Sequence, residues 1–303
     1  MPTVKTVTGG VAAANTETIL GVNVGDIKTV LGVGAPASWD AVWARSVPVA
    51  FWDMEEGGSG TTVTDRSSAG NNLDLTLVTN NGGDAPAWDT SGATGGPVRG
   101  TYSLKLETGG ENQGYIADNS KLDFAADAAF SISMWVQKDN QSDGNTSTYI
   151  AKMASSSPYR GYEVGCETGA KIKFFLVDTY LSKALGVRTS VSHMSNNDDW
   201  HHIVVTYDGS GEDNGVTIYH DGTGKTLDSA ENALETIITD TLDTEDTTVN
   251  TDIFTMGSRV SSQYTDVYMD DVAIFDIELT AAMVTDLYNS GASVDIADGI
   301  PKS

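Results

Sequence analysis

The chain predicts an all-β fold: a two-sheet antiparallel jelly-roll sandwich with one short C-terminal helix and an extended N-terminal docking segment. Three observations predict it. From Val49 onward, short runs alternate apolar and polar residues and are rich in β-branched and aromatic types. Clusters of Gly, Asn, Asp and Ser bound these runs, as turns require. Helical spacing is clear in one place near the C-terminus, where Leu279, Met283 and Leu287 recur every fourth residue.

Residues 1–47 read as a docking segment and connector. Val4 to Val33 is poor in aromatics and contains an echo, "TILGVNVG" at Thr18 and "TVLGVGAP" at Thr29, each placing β-branched residues beside Gly as short strands or turns do. Two copies are too few for a solenoid, which needs about three repeats to bury a continuous face. So short a segment buries little of its own surface, and its Val, Ile and Leu are expected to dock on the main domain, a second copy or another protein. The following "APASWDAVWARSVPVA" is either a connector anchored by Trp39 and Trp43 or a fixed strand of the main domain.

Residues 48–291 form the main domain, with strands expected at "VAFWDME", "GTYSLKLE", "FSISMWVQK", "YEVGCE", "KIKFFLVD", "HHIVVTYD", "VTIYHDG", "DIFTMGS" and "VYMDDVAIFD". Trp52 and Trp135 are assigned to the core, and Cys166 reads as a small buried strand residue. The acidic insertion "SAENALETIITDTLDTEDTTVNTD" is expected to be a long, partly helical loop. In "LTAAMVTDLYNSG" Thr280 can cap the helix and Gly291 can end it. Residues 292–303 read as a tail.

Bulk properties exclude some functions. A net charge of -25 and a pI near 4.2 argue against nucleic acid, which needs clustered Lys and Arg. One cysteine permits no intrachain disulfide. No apolar run approaches the roughly 20 residues of a membrane span, and the N-terminus lacks a signal-peptide pattern. In "WHHIVVTYDG" strand alternation sends His201 and His202 to opposite faces, so the two are not expected to share a metal. No third His or carboxylate stands at the spacing of a zinc helix.

"DWHHIVVTYDG" followed by "VTIYHDGT" resembles the strand pair of the laminin-G-like, concanavalin A-like lectin-glucanase superfamily. "VAFWDMEEGGSGTTVTDRSSAGNNLDL", "YSLKLE", "FSISMWV" and "MDDVAIFDIELTAAMVTDLYNSG" extend the resemblance from Val49 to about Gly291. It implies a two-sheet jelly roll whose first and last strands are neighbours, often with a structural calcium nearby. Glu55, Glu56, Asp65, Asp270 and Asp271 are the candidate Ca²⁺ ligands, an ion that takes six to eight oxygens. The alternative is ordinary loop hydrogen bonding, with Asp65 in an Asx turn.

Two further chemistries are weighed on this frame. Hydrolysis needs paired carboxylates. Glu163 and Glu167 share a strand face but stand too far apart, and alternation sends Asp270 and Asp271 to opposite faces. No catalytic residue is therefore assigned. Glycan binding needs an aromatic platform, for which Trp88, Tyr159, Tyr162 and Tyr180 are candidates alongside core or loop-anchor roles. Arg160 is placed to fork to a carboxylated sugar.

The N-terminal segment resembles the lead-ins of tailed-bacteriophage virion proteins. The resulting expectation is a non-enzymatic virion surface protein, decorating capsid or tail. It binds other virion proteins through its N-terminus and a host surface glycan through the jelly roll, as a symmetric oligomer, a trimer by expectation. The alternative is an extracellular polysaccharide-processing enzyme or its carbohydrate-binding module.

Overall fold

The computed structural model describes residues 18–19, 22–23, 29–30, 33–34, 45–90, 97–139, 146–194, 199–230, 232–238, 241–260, 262–291, 293–297 and 299–301. The chain divides into two units, Met1–Ala44 and Arg45–Pro301. In the first, each echoed motif makes an antiparallel pair, Thr18–Ile19 with Val22–Asn23 and Thr29–Val30 with Val33–Gly34. Trp39, Trp43 and the rest of the connector before Arg45 lie outside the described residues.

The second unit is a sandwich of two antiparallel sheets. Its strands are β1 (Ala50–Trp52), β2 (Thr62–Val63), β3 (Leu75–Thr79), β4 (Ala87–Asp89), β5 (Ser103–Leu106) and β6 (Asn112–Ile116). Next come β7 (Phe130–Lys138), β8 (Ser147–Met153), β9 (Gly161–Glu167), β10 (Lys171–Thr179), β11 (Lys183–Thr189) and β12 (His201–Tyr207). The last are β13 (Val216–His220), β14 (Thr223–Lys225), β15 (Leu234–Ile238), β16 (Phe254–Met256) and β17 (Val267–Phe275).

The eight-stranded sheet runs β14-β13-β12-β7-β17-β5-β4, with β1 also pairing β17; the nine-stranded sheet runs β15-β11-β10-β9-β8-β16-β6-β3-β2. The first long alternating run and the last are thus neighbours, with Trp52 opposite Val272.

The core between the sheets is aromatic. Trp52 of β1 stacks on Phe254 of β16 at 5.5 Å, and Phe130 of β7 approaches Phe174 of β10 at 6.0 Å, each pair joining one sheet to the other. Cys166 is buried here as a thiol, outside any disulfide. The outer face of the eight-stranded sheet is covered as well. Helix α1 (Ala281–Tyr288) places Met283, Val284 and Leu287 against Phe51, Val204 and Phe275. Thr280 caps it by accepting from the Met283 N–H, and the helix stops at Asn289, which takes a left-handed φ of 42° two residues before Gly291. The chain beyond α1 returns to the sandwich, where Ile296 and Ile300 bury in the same cluster and Ile300–Pro301 pairs with Arg45–Ser46. No described helix is long and apolar enough to cross a membrane.

The acidic insertion differs from its expected partly helical form. It carries the edge strand β15, which pairs with β11 and buries its two ends, Leu234 and Ile238, while Thr236 between them is exposed.

Candidate functional site

The nine-stranded sheet presents a step of aromatic rings at one end of its outer surface. Two loops build it, the turn between β8 and β9 and the hairpin between β10 and β11. Tyr159 stands on the first at a φ of 60°, and Tyr180 on the second is 42% exposed. The Tyr180 N–H donates to the Pro158 carbonyl at 3.0 Å, which ties the loops together. The rings of Tyr159 and Tyr180 meet edge to face at 5.7 Å, and Tyr180 meets Phe175 at 6.4 Å. The Arg259 guanidinium lies over Tyr159 at 5.3 Å, so the platform has a cationic backing.

Gly161 is required beside it. With a φ of +125°, a Cβ at this position would fall 1.9 Å from the Lys152 carbonyl oxygen. Asn250, from the acidic insertion, donates through Nδ2 to the carbonyls of Lys152 (3.0 Å) and Arg160 (2.9 Å). Beneath it the Lys152 ammonium, 1% exposed, donates to Asp118 at 2.9 Å, Asp123 at 2.6 Å and the Asn250 carbonyl at 2.9 Å. The insertion thus holds the aromatic loop from below.

The structure separates the five residues expected to form a glycan platform. Tyr159, Arg160 and Tyr180 come together. Tyr162 does not join them: it is 2% exposed and donates its hydroxyl to the Leu122 carbonyl between the sheets, because alternation along β9 turns it inward. Trp88 sits on β4, at the edge of the other sheet, with Nε1 donating to the Gly60 carbonyl at 3.3 Å. The Arg160 fork is already taken, since Nε and Nη2 both donate to Asp178 Oδ1 at 3.0 and 2.5 Å.

The acidic residues fall into two groups. Asp65 accepts from the N–H groups of Phe51 (3.1 Å), Ser67 (2.9 Å) and Leu73 (3.0 Å), the Ser67 bond closing an Asx turn. Glu56 accepts from the Thr64 N–H at 2.8 Å, and burial pushes its carboxyl up. Glu55, Asp270 and Asp271 gather around residues 98–102. Glu55 accepts from the N–H groups of Thr101 and Tyr102, and Asp270 from those of Val98 and Arg99. Asp271 receives the Arg99 guanidinium on both oxygens, at 2.7 and 2.6 Å. As folded, each of these five carboxylates accepts N–H bonds.

Alternation was expected to part Asp270 from Asp271, yet both face the Arg99 segment. The register of β7 against β17 slips between Ser133 and Trp135, and Asp271 takes a φ of 42° there. Such a bulge redirects one side chain. Burial raises both carboxyls, and the two repel each other. Glu163 and Glu167 are neutralised by neighbours, Glu163 by Lys173 and Arg259, Glu167 by Arg188.

His201 and His202 diverge as alternation requires. His202 stacks on Trp135 at 4.9 Å, and its Nε2 lies 2.9 Å from Ser133 Oγ. Burial holds its ring down to about 3. Because the unfolded chain binds this proton near pH 6.5 and the folded chain does not, stability present above pH 6.5 is lost as the pH falls. Lowering the pH from 7 to 5 in the presence of chelator is expected to cost about 2 kcal/mol through His202. Urea midpoints at the two pH values measure it, and His202→Gln should flatten that part of the slope.

His201 meets His220 and Asp221, and His220 in turn meets His193. The available signal was hairpin register rather than helical spacing: β13 pairs with β12 so that Ile203 faces His220, on the side of the strand that His201 shares. Burial pushes the rings of His193 and His220 down, the latter to about 4, while Asp221 is lowered by the His201 hydrogen bond despite its own burial.

A family model described as the concanavalin A-like lectin/glucanases superfamily matches residues 108–285. The chain belongs to this superfamily. In fold, the sandwich is similar to solved binding domains of Paraclostridial Mosquitocidal Protein 1 and of botulinum neurotoxins. The binding domain of Paraclostridial Mosquitocidal Protein 1 superposes with a TM-score of 0.54 at 17% identity, over 80% of this chain and 52% of that one. The binding domain of botulinum neurotoxin serotype G gives 0.52 at 21% identity, over 80% and 50%. That of botulinum neurotoxin DC, solved in complex with rat synaptotagmin II, gives 0.55 at 17% identity, over 80% and 51%. This superfamily member thus spans about half the length of those chains, and the likeness is one of fold. No curated protein matches the chain.

Proposed function

We propose that this chain is a non-enzymatic adhesive module whose aromatic step holds a neutral glycan on a host surface, and whose N-terminal segment attaches it to a virion. The observation that carries the binding half is the Tyr159–Tyr180 pair, Tyr180 exposed and Tyr159 half-buried, backed by Arg259. Aromatic faces with a few fixed polar groups are the usual make-up of a small-ligand site. The Arg160–Asp178 pair leaves a neutral sugar as the better fit than a carboxylated one, and a net charge of -25 disfavours polyanions. The structural neighbours are binding domains, one of them solved in complex with rat synaptotagmin II, which supports a partner-facing use of the same frame. The attachment half rests on the echoed hairpins and on the sequence likeness of that segment to virion lead-ins.

A glycan array followed by titration of the best neutral ligand tests the reading. Tyr180→Ala is expected to weaken binding about tenfold or more, the cost of losing an aromatic anchor, with an unchanged melting temperature. Removing residues 1–44 should leave glycan binding intact and abolish attachment to the particle. A silent array, or release of new reducing ends from the polysaccharides, defeats the reading.

A further inference from the structure

Three of the four histidines meet between the two sheets, away from the aromatic step. The rings of His201 and His220 are 4.6 Å apart, and those of His193 and His220 are 4.5 Å apart, centroid to centroid. Asp221 Oδ2 lies 3.0 Å from Nδ1 of His201 and 3.5 Å from Nε2 of His220. One donor atom from each of these three residues falls within 4.8 Å of the others.

The backbone holds these groups in place. His201 and His220 belong to neighbouring strands of the eight-stranded sheet, β12 and β13. Asp221 follows directly, and its Oδ1 accepts the His202 N–H at 2.9 Å, which aims Oδ2 at the imidazoles. His193 arrives from the other sheet. It lies on the loop after β11, and its N–H donates to the carbonyl of Ala170, in the turn between β9 and β10, at 3.0 Å.

What the fold leaves unexplained is a set of orphaned nitrogens. The Nε2 atoms of His193, His201 and His220 are each buried without a hydrogen-bond partner among the described residues. Buried polar atoms in native proteins are rarely left so, since each costs its desolvation. A shared ion bound by Nδ1 of His201, the atom beside Asp221, would satisfy the Nε2 atoms of His193 and His220 at once.

We propose that His193, His201, His220 and Asp221 form a binding site for a divalent transition ion of the zinc class, clamping the β12–β13 hairpin of one sheet to the loop after β11 of the other. Three imidazoles and one carboxylate select zinc and its neighbours over calcium or magnesium, which prefer all-oxygen shells. Ligands about 2.0–2.1 Å from a tetrahedral ion stand about 3.3 Å from one another. The two Asp221 distances, 3.0 and 3.5 Å, straddle that spacing. His201, His220 and Asp221 already stand within 4.8 Å of one another; with His193 swung in from beside His220 as the fourth ligand, protein groups close the coordination shell, so the ion serves as a staple rather than a reaction centre. In a chain whose single cysteine excludes an internal disulfide, it supplies a cross-link between the sheets.

The test uses the full chain without a histidine tag, stripped with chelator and titrated with ZnCl₂ by calorimetry, with CoCl₂ as a spectroscopic probe. The expected result is one equivalent bound with a micromolar or tighter Kd, a raised melting temperature, and the visible band of tetrahedral Co²⁺. His193→Gln and His220→Gln should each weaken Zn²⁺ binding by about tenfold or more, while CaCl₂ leaves the melting temperature unshifted. His193→Gln, on a loop, serves if His220→Gln fails to fold. Binding no tighter than about millimolar, or binding that survives both substitutions and so belongs to surface carboxylates, overturns the proposal. An unchanged melting temperature on saturation overturns the staple.

Discussion

Replacing Arg99 by alanine is expected to destabilise the sandwich by about 3–5 kcal/mol, the usual cost of stranding a buried charge. The Asp271 side chain is 3% exposed, and both of its oxygens are engaged by the Arg99 fork. Ser293 Oγ also donates to it, from the segment that follows α1. Beside it Asp270 is also buried, so without the guanidinium two carboxyls share a poorly solvated pocket. The loss falls where the first and last strands pair, and therefore on the closure of the whole sheet. Arg99→Lys keeps the charge but not the bidentate geometry and should cost less. Urea denaturation at pH 7 measures both variants. A loss under about 1 kcal/mol for Arg99→Ala would mean that the pair behaves as an exposed salt bridge and that the bulge, not the ion pair, shapes this corner.

Lys152→Met is expected to cost about 3 kcal/mol for the same reason and to act on the binding face as well. The ammonium is buried under two carboxylates and the Asn250 carbonyl, and Asn250 in turn holds the Lys152 and Arg160 carbonyls. Methionine preserves most of the volume while leaving Asp118 and Asp123 to repel each other. Asp118 is partly solvated, which keeps the loss below that of Arg99→Ala. Amide exchange should quicken in residues 241–252 and in the turn between β8 and β9, and glycan affinity should fall without any change to Tyr159 or Tyr180. Unchanged exchange in both segments would show that the insertion is held by other contacts.

Strand identity was legible in the sequence because period-two alternation leaves a signal over each run. It placed Trp52 in the core, sent His201 and His202 apart, and set α1 from the spacing of Leu279, Met283 and Leu287. It did not tell which face of a strand looks inward where both faces are lined with large side chains. Tyr162 therefore reads as a candidate platform residue although it lies in the core, while Phe175, in a strand run lined with large side chains on both faces, belongs to the outer step.

The local amino-acid pattern by itself determined the antiparallel sandwich, its capped helix, and the family resemblance, since turns, caps and alternation are short-range effects. Only the tertiary structure decided the sites. The bulge at Asp271 overrides alternation and turns neighbouring carboxylates toward one arginine. Strand pairing and sheet stacking bring His193, His201 and His220 together across 27 positions of sequence. Side-chain direction is set locally, whereas convergence depends on register and on how two sheets face each other, and those are properties of the folded chain.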